Sequence, residues 1–252
     1  MAETNSGNGT NSRPARESII GYFKRQPTET ALFITRLITI FCSLYYVLPI
    51  GTPYAQQTAY SRAFFAAAAT NALRLHQRVG GVQFSREFLI RIQGEDPCHY
   101  LFYSLLFADL TPLTLALWPI FLFALMHVTS FMEKLCVATG TEQTFVAKKL
   151  HEFNASYTLT LLSVIACSEI FMMPLILVLV LLGRWFILLP LVYYIFLISR
   201  YTSRRNPTSR TVYHQLRLYV EDLINNQHCP QIIRTIINAV IRLLCRLCPY
   251  GA

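Results

Sequence analysis

Charged residues are scarce in this chain of 252 residues. Asp, Glu, Lys and Arg together make up 14% of it, whereas soluble domains carry about 25%. Hydrophobic residues make up 54%, and the mean hydropathy is +0.40. This balance excludes an ordinary soluble domain and predicts a membrane protein. The length leaves room for one helical membrane domain with its tails, but not for a second sizeable soluble domain.

Sequence motifs of catalysis and of metal binding are also missing. The chain has no HExxH, GxSxG, Walker A or dinucleotide-binding pattern. The spacing of Cys245 and Cys248 lacks a second cysteine pair or paired histidines, so it does not predict a zinc site. The seven cysteines are odd in number and scattered, which disfavours structural disulfides. We therefore predict a protein that is not an enzyme and that needs no metal or cofactor.

The first 28 residues contain no long apolar stretch. Residues 1–28 are rich in Ser, Asn, Thr and Gly, and they lack a short apolar core followed by a small-residue cleavage site. We interpret them as a disordered polar tail without a removable signal peptide. Only residues 18–23, SIIGYF, are expected to touch a membrane.

Hydrophobic runs dominate the middle of the chain. Residues 159–198 are almost continuously apolar, with one interruption at Gly183, Arg184 and Trp185. The sequence predicts an all-α, polytopic membrane domain over 29–200, with four hydrophobic segments at about 31–50, 100–128, 157–182 and 186–199. As a helix the last segment is only about 21 Å long, against a hydrocarbon core of about 30 Å. It therefore either spans a thinned bilayer or forms one arm of a shallow hairpin.

Two features of these segments leave alternatives open. Pro112 and Pro119 lie within the second segment, so a kink or tilt is expected there. The Ala-rich stretch 61–78 predicts a helix with Arg62 and Arg78 near its ends. This helix could lie in the membrane interface, or it could pack on the membrane domain.

The distribution of positive charge predicts the orientation. With four spans and both termini cytosolic, 15 Lys and Arg residues lie on the cytosolic side and six on the other. This is the bias expected of cytosolic loops. Arg200, Arg204 and Arg205 follow the last apolar run and are interpreted as the positive stop that holds the C-terminal tail in the cytosol.

Ionisable residues inside predicted spans are the usual place to search for function. They are Arg36, Asp109 and Glu169. An Arg36–Glu169 pair between helices is the favoured interpretation, with an ion or proton pathway as the alternative. Asp96 lies in a polar cluster just before the second span, where a helix start at Asp96–Pro97 explains it more simply than an acid–base or metal site.

The basic tail, residues 201–252, predicts two amphipathic helices, at about 209–226 and 230–248. In the second, polar residues recur every fourth position: Arg234, Asn238, Arg242 and Arg246. Apolar residues cover most of the remaining circumference, among them Ile233, Ile237, Val240, Ile241 and Leu244. A cationic stripe on a broad apolar face is typical of a helix lying among anionic lipid headgroups, not of one that binds nucleic acid. The alternative is that this helix packs on the protein's own spans.

Five stretches of the chain resemble one known family. They are NALRLHQR (71–78), FSREFL (84–89), DPCHYLFYSLLF (96–107), ACSEIFMMP (166–174) and RYTSRRNPTSRTVYHQLR (200–217). In this order they resemble the transmembrane protein 33 family, also called the Krüppel homologue 2 family. The resemblance implies a multi-span protein of the endoplasmic reticulum and nuclear envelope, without established catalytic residues.

The same resemblance implies a role in tubular reticulum architecture alongside reticulon-type proteins, in nuclear pore organisation, and in stress signalling of the reticulum. Together with the predicted hairpin and tail helix, it favours a protein that shapes or senses membrane curvature. An interaction adaptor and a channel or transporter subunit remain as alternative hypotheses.

Overall fold

Helices account for nearly all of the described chain. The computed structural model describes residues 18–48, 50–80, 85–203, 207–225 and 230–247, and within these ranges it contains no strands. The helices are α1 (Ile19–Arg25), α2 (Pro27–Val47), α3 (Pro53–Val79), α4 (Arg86–Gln93), α5 (Asp96–Ala108), α6 (Thr114–Ala138), α7 (Phe145–Leu181), α8 (Leu189–Thr202), α9 (Thr208–Asn225) and α10 (Gln231–Leu247).

The helical part of the chain begins earlier than predicted. Residues 1–17 lie outside the described residues, but α1 falls within the stretch predicted to be a disordered tail, and that prediction is wrong for it. Its Tyr22 is buried against Phe131 of α6, with ring centroids 5.8 Å apart. Phe23 stacks on the same ring at 6.2 Å. These aromatic contacts order a segment whose local composition is polar.

Helices α2 and α3 form an antiparallel hairpin. The rings of Tyr46 and Tyr60 lie 5.2 Å apart near the turn, and Thr70 Oγ1 donates to Thr35 Oγ1 at 2.8 Å farther along. In α3, Ala63 and Ala67 are buried, and small residues at this spacing let helices approach closely. Of the two placements considered for 61–78, the structure favours the helix packed on the membrane domain.

The predicted second span is two helices. Tyr103 of α5 donates its hydroxyl proton to the Ala116 carbonyl of α6 at 2.9 Å, and farther from the turn the rings of Tyr100 and Phe123 lie 4.8 Å apart, so the two helices run antiparallel. The prediction of one kinked span over 100–128 is therefore wrong. Pro112 has no backbone N–H and disfavours helical geometry at the residue before it, so the chain turns instead of kinking. Asp109 caps α5 at this turn and is exposed.

Helices α7 and α8 differ greatly in length. Helix α7 has 37 residues, and at about 1.5 Å per residue it exceeds any bilayer core. Helix α8 has only 14 residues. Gly183 turns the chain with φ +68°, a conformation that residues with a Cβ rarely adopt. The Trp185 indole N–H donates to Thr111 Oγ1 at 2.6 Å, which joins this turn to the α5–α6 turn.

Three of the described helices are long and apolar enough to cross a membrane: α2, α6 and α7. The membrane class of the fold is confirmed, but the count of four spans is wrong by this criterion. The reason is that α8, the fourth predicted segment, is shorter than a span, whereas the divided second segment still contributes α6. Helices α5 and α8 are each too short to cross a membrane. Helix α5 ends, and helix α8 starts, near the two turns that the Trp185–Thr111 hydrogen bond joins.

The aromatic core lies between α3, α5 and α8. Its largest fully buried side chains include Tyr60, Phe64, Tyr103, Phe107 and Tyr193. Helix α9 packs on α7, and α10 packs beside α9. The tail is therefore attached to the membrane domain through α9.

Candidate functional site

A buried ion pair joins α7 to α8. Arg200 Nε donates to Glu169 Oε2 at 3.2 Å. The side chains are 1% and 2% exposed, respectively. A charge this deep is retained only when an opposite charge and hydrogen bonds compensate for its lost hydration. The pair therefore fixes the end of the half-length helix α8 against the middle of α7.

Asp96 extends the pair to α5. Arg200 Nη1 donates to Asp96 Oδ1 at 3.3 Å, and Ser203 Oγ donates to the same oxygen at 2.6 Å. Asp96 is the first residue of α5, where the helix dipole favours a carboxylate. One arginine thus connects the carboxylates of two helices, and the starting end of α5 meets the final end of α8.

Two tyrosines complete the surroundings of Glu169. The Tyr100 hydroxyl donates to Glu169 Oε1, and the Tyr193 hydroxyl donates to the Glu169 main-chain carbonyl at 2.8 Å. The Arg200 guanidinium also lies over the Tyr100 ring, 4.8 Å from its centroid. We call Asp96, Tyr100, Glu169, Arg200 and Ser203 the polar lock. Within it one guanidinium binds two carboxylates, and each carboxylate also accepts a hydrogen bond from a hydroxyl group, which favours a structural clasp over an ion pathway.

The predicted Arg36–Glu169 pair is wrong, because Glu169 pairs with Arg200. Arg36 lies on α2, which packs on α3 and α6, whereas Glu169 faces α5 and α8. Arg200 belonged to the predicted positive stop, and a basic run after an apolar one gives no signal that its first residue turns inward. Arg204 and Arg205 lie outside the described residues.

Arg36 belongs to a second buried cluster, on α2, α3 and α6. It is 3% exposed, and its Nε and Nη2 have no hydrogen-bond partner among the described residues. Arg74 of α3 acts on it electrostatically, and Arg74 Nη1 lies 3.2 Å from His127 Nε2 of α6. We call Arg36, Arg74 and His127 the cationic cluster.

A polar contact also joins α6 to α7 at their connected ends. Glu133 accepts from His151 Nδ1 and from Asn154 Nδ2, both at 2.6 Å. Thr129 donates to the Asn154 side-chain oxygen at 2.7 Å. In the part of the chain that the structure describes, no three His, Cys, Asp or Glu side chains gather as metal ligands.

The tail residues predicted to meet the membrane lie on α10. Arg234 Nε donates to the Ile224 carbonyl at the end of α9 at 2.8 Å, so this arginine also holds the two tail helices together. Arg242 is exposed, and its Nε donates to the Asn238 carbonyl at 3.2 Å. Ile237 and Ile241 are half-buried. The side chains of several other predicted residues, Ile233, Val240, Leu244 and Arg246, lie outside the described residues.

A bundle of apolar helices, held by buried polar contacts and followed by an amphipathic tail, defines a multi-pass helical membrane protein. Comparison with known proteins identifies the family. The family model described as transmembrane protein 33/nucleoporin POM33 matches residues 11–250, and the chain belongs to this family.

Relatives from distant animals match over most of their length. Human transmembrane protein 33 is 36% identical over 249 residues, covering 99% of both chains. The transmembrane protein 33 homolog of Caenorhabditis elegans is 38% identical over 237 residues, covering 93% of this chain and 87% of its own. Krueppel homolog 2 of Drosophila melanogaster is 38% identical over 234 residues, covering 92% and 82%, respectively. No solved structure matches the chain.

Proposed function

We propose that this protein is a non-enzymatic organiser of endoplasmic reticulum tubules and nuclear pore membranes, with both termini in the cytosol. The family description names a nucleoporin, which supports the nuclear pore part of the proposal. Its lipid partners are anionic phospholipids, and its protein partners are reticulon-type membrane proteins and components of the nuclear pore.

The observation that carries the proposal is the form of the tail. Helix α10 continues as one helix over Gln231–Leu247, with the arginine stripe along it and no acidic residue after Asp222. Helix α9 connects it to α7. A helix of this kind inserts its apolar side into one leaflet while its arginines meet anionic headgroups. The helix adds area to one leaflet only, and this favours a membrane that bulges towards that leaflet.

The arrangement of the other helices supports the same asymmetry. Helix α3 runs antiparallel to α2, so Arg74 and Arg78 lie at the end where α2 begins, together with α1 and α4. Among the described residues, Arg62 and Arg184 remain towards the opposite end. This distribution supports a cytosolic position for the end with α1 and α4. There these short helices add area to the cytosolic leaflet, beside the hairpin of α7 and α8.

The test reduces the charge of α10 in the full-length protein. Arg242→Gln with Arg246→Gln removes two charges and leaves the Arg234–Ile224 contact in place. At about 1 kcal/mol for each arginine near an anionic surface, docking of α10 weakens by about 30-fold. Hydrogen exchange of the α10 amides in vesicles with and without phosphatidylserine measures this change. In cells lacking the native protein, the variant should restore fewer tubules than the wild type.

The matched control is Lys148→Gln with Lys149→Gln, which removes two exposed charges from the start of α7. It should behave as the wild type. Equal α10 protection in charged and neutral vesicles, or normal tubules with the tail variant, would contradict the proposal. Deleting residues 230–252 distinguishes the membrane-shaping proposal from the adaptor hypothesis. An adaptor would lose its partners, whereas a membrane-shaping protein would keep part of its activity through the helix bundle.

A further inference from the structure

The cationic cluster contains a charge that the protein does not neutralise. Arg36 is 3% exposed, yet its Nε and Nη2 find no acceptor in the described part of the chain. An unpaired buried guanidinium is costly, because burial removes its hydration and nothing replaces it. Such a group in a native fold indicates a missing partner of opposite charge.

Two arginines converge on the same position. Side chains in a helix lean towards its N-terminus, so Arg36 leans towards the end where α2 begins. Arg74 lies near the end of the antiparallel helix α3, and it leans back towards Arg36. Arg74 Nη1 also lies 3.2 Å from His127 Nε2. Since an arginine can only donate, Nε2 is the unprotonated nitrogen and the histidine is neutral in this arrangement.

The surrounding charges do not cancel the cluster. Glu29 is the acidic residue that opposes the positive charge of both Arg36 and Arg74, and within the described residues it forms no ion pair with either. Arg78 is nearby, but its Nη1 is bound to Glu95 Oε2 at 2.8 Å. Lys134 adds a further positive charge near His127. The site therefore has a net positive charge with capacity for an anion.

The cationic cluster lies on helices that can cross a membrane. Arg36 belongs to α2 and His127 to α6, and both helices are long and apolar enough to span a bilayer. Basic pockets between membrane-crossing helices bind the headgroups of anionic phospholipids. The membrane itself therefore offers this cluster a matching anion, a phospholipid phosphate.

We propose that Arg36 and Arg74, with His127 orienting Arg74, bind the phosphate of an anionic phospholipid at the α2–α3–α6 face. The lipid completes the fold here, because its phosphate accepts the hydrogen bonds that the protein leaves open. This site is separate from the tail and does not depend on its proposed role.

The experiment uses the full-length protein purified in a neutral detergent. Thermal unfolding is followed with phosphatidylinositol, with phosphatidylcholine or with inorganic phosphate added, and native mass spectrometry counts the lipids retained. At about 100 times the dissociation constant, phosphatidylinositol should raise the melting temperature by about 5–10 °C. Phosphatidylcholine should raise it less, because its choline cation opposes the two arginines.

Variants identify the site. Arg36→Gln and Arg74→Gln should lose the shift, and Arg36→Gln should melt higher than the wild type in detergent alone because it removes the unpaired charge. Arg62→Gln is the matched control, since Arg62 lies exposed on the same helix as Arg74. It should retain the shift, as should the Arg242→Gln and Arg246→Gln tail variant.

Each outcome decides the proposal. An equal shift from inorganic phosphate would retain the phosphate site but assign it to a soluble ligand instead of a lipid. An equal shift from phosphatidylcholine, a shift that persists in both Arg36→Gln and Arg74→Gln, or no shift with any ligand would overturn it. Since Arg74 is only half-buried, the Arg74→Gln variant still tests the site if Arg36→Gln fails to fold.

Discussion

Removing either charge of the Glu169–Arg200 pair should destabilise the membrane domain strongly. Two unit charges 3.2 Å apart attract by about 5 kcal/mol at an effective dielectric constant of about 20. Deleting one partner of such a buried pair costs about 3–5 kcal/mol, because the remaining charge stays buried. For Glu169→Gln we expect about 3 kcal/mol, the low end of that range, because Asp96 still accepts from Arg200. For Arg200→Met we expect about 4 kcal/mol, since the Glu169 carboxylate then keeps the Tyr100 hydroxyl as a donor but has no cation.

The measurement is reversible unfolding in mixed micelles as the fraction of denaturing detergent rises. The informative comparison is the double variant, Glu169→Gln with Arg200→Met. It leaves neither of the paired charges uncompensated, so it should cost at least about 2 kcal/mol less than the sum of the single variants. Arg184→Met is the control, because Arg184 is exposed in the turn before α8, and it should cost no more than about 0.5 kcal/mol.

Two results would refute this reasoning. One is a single variant that unfolds as the wild type does, which would mean that the charges are not paired in the membrane. The other is strict additivity in the double variant. The charge swap Arg36→Glu with Glu169→Arg provides an independent check, because it should not restore stability when Glu169 contacts Arg200 instead.

Two further predictions concern the turns opposite the α1 end. Gly183→Ala should cost about 1–2 kcal/mol through the positive φ alone, since nothing lies within 4 Å of the added Cβ. Gly94→Ala, at an ordinary helical φ of −81°, is the matched control and should be nearly neutral in the same unfolding assay. Trp185→Phe should cost about 1 kcal/mol by removing the hydrogen bond to Thr111 while keeping most of the buried ring. Restoration of stability by Thr111→Val in that background would support the pairing, and an unchanged midpoint for Trp185→Phe would contradict it.

Much of the fold could be predicted from hydrophobic length and composition. The all-α membrane class and the family resemblance were confirmed, since both depend on long-range composition and on motifs spread along the chain. The turn at 109–113 was missed because its polar residues, Asp109 and Thr111, alternate with leucines, and Pro112 was interpreted as a kink within one long apolar run. Helix α1 was missed because its order comes from Phe131, which lies far away in the chain.

The polar lock could be predicted only in part. Glu169 stood out as a charge within an apolar run, and Asp96 was noted as a helix start. Their common partner, Arg200, was hidden among the basic residues that follow it. The chain separates Arg200 from Glu169 by 31 positions and from Asp96 by 104. Only the antiparallel return of α8 along α7 shows which arginine reaches which carboxylate.

The polar lock also has a consequence for the order of synthesis. At about 5–20 residues per second, the ribosome makes Asp96 many seconds before Arg200, which follows 104 positions later. During that time Glu169 enters the membrane with no cation from α8 to balance it. A chain that ends before residue 200 therefore keeps an uncompensated carboxylate among apolar helices. The membrane domain reaches its balanced form only once the last turn of α8 has been made.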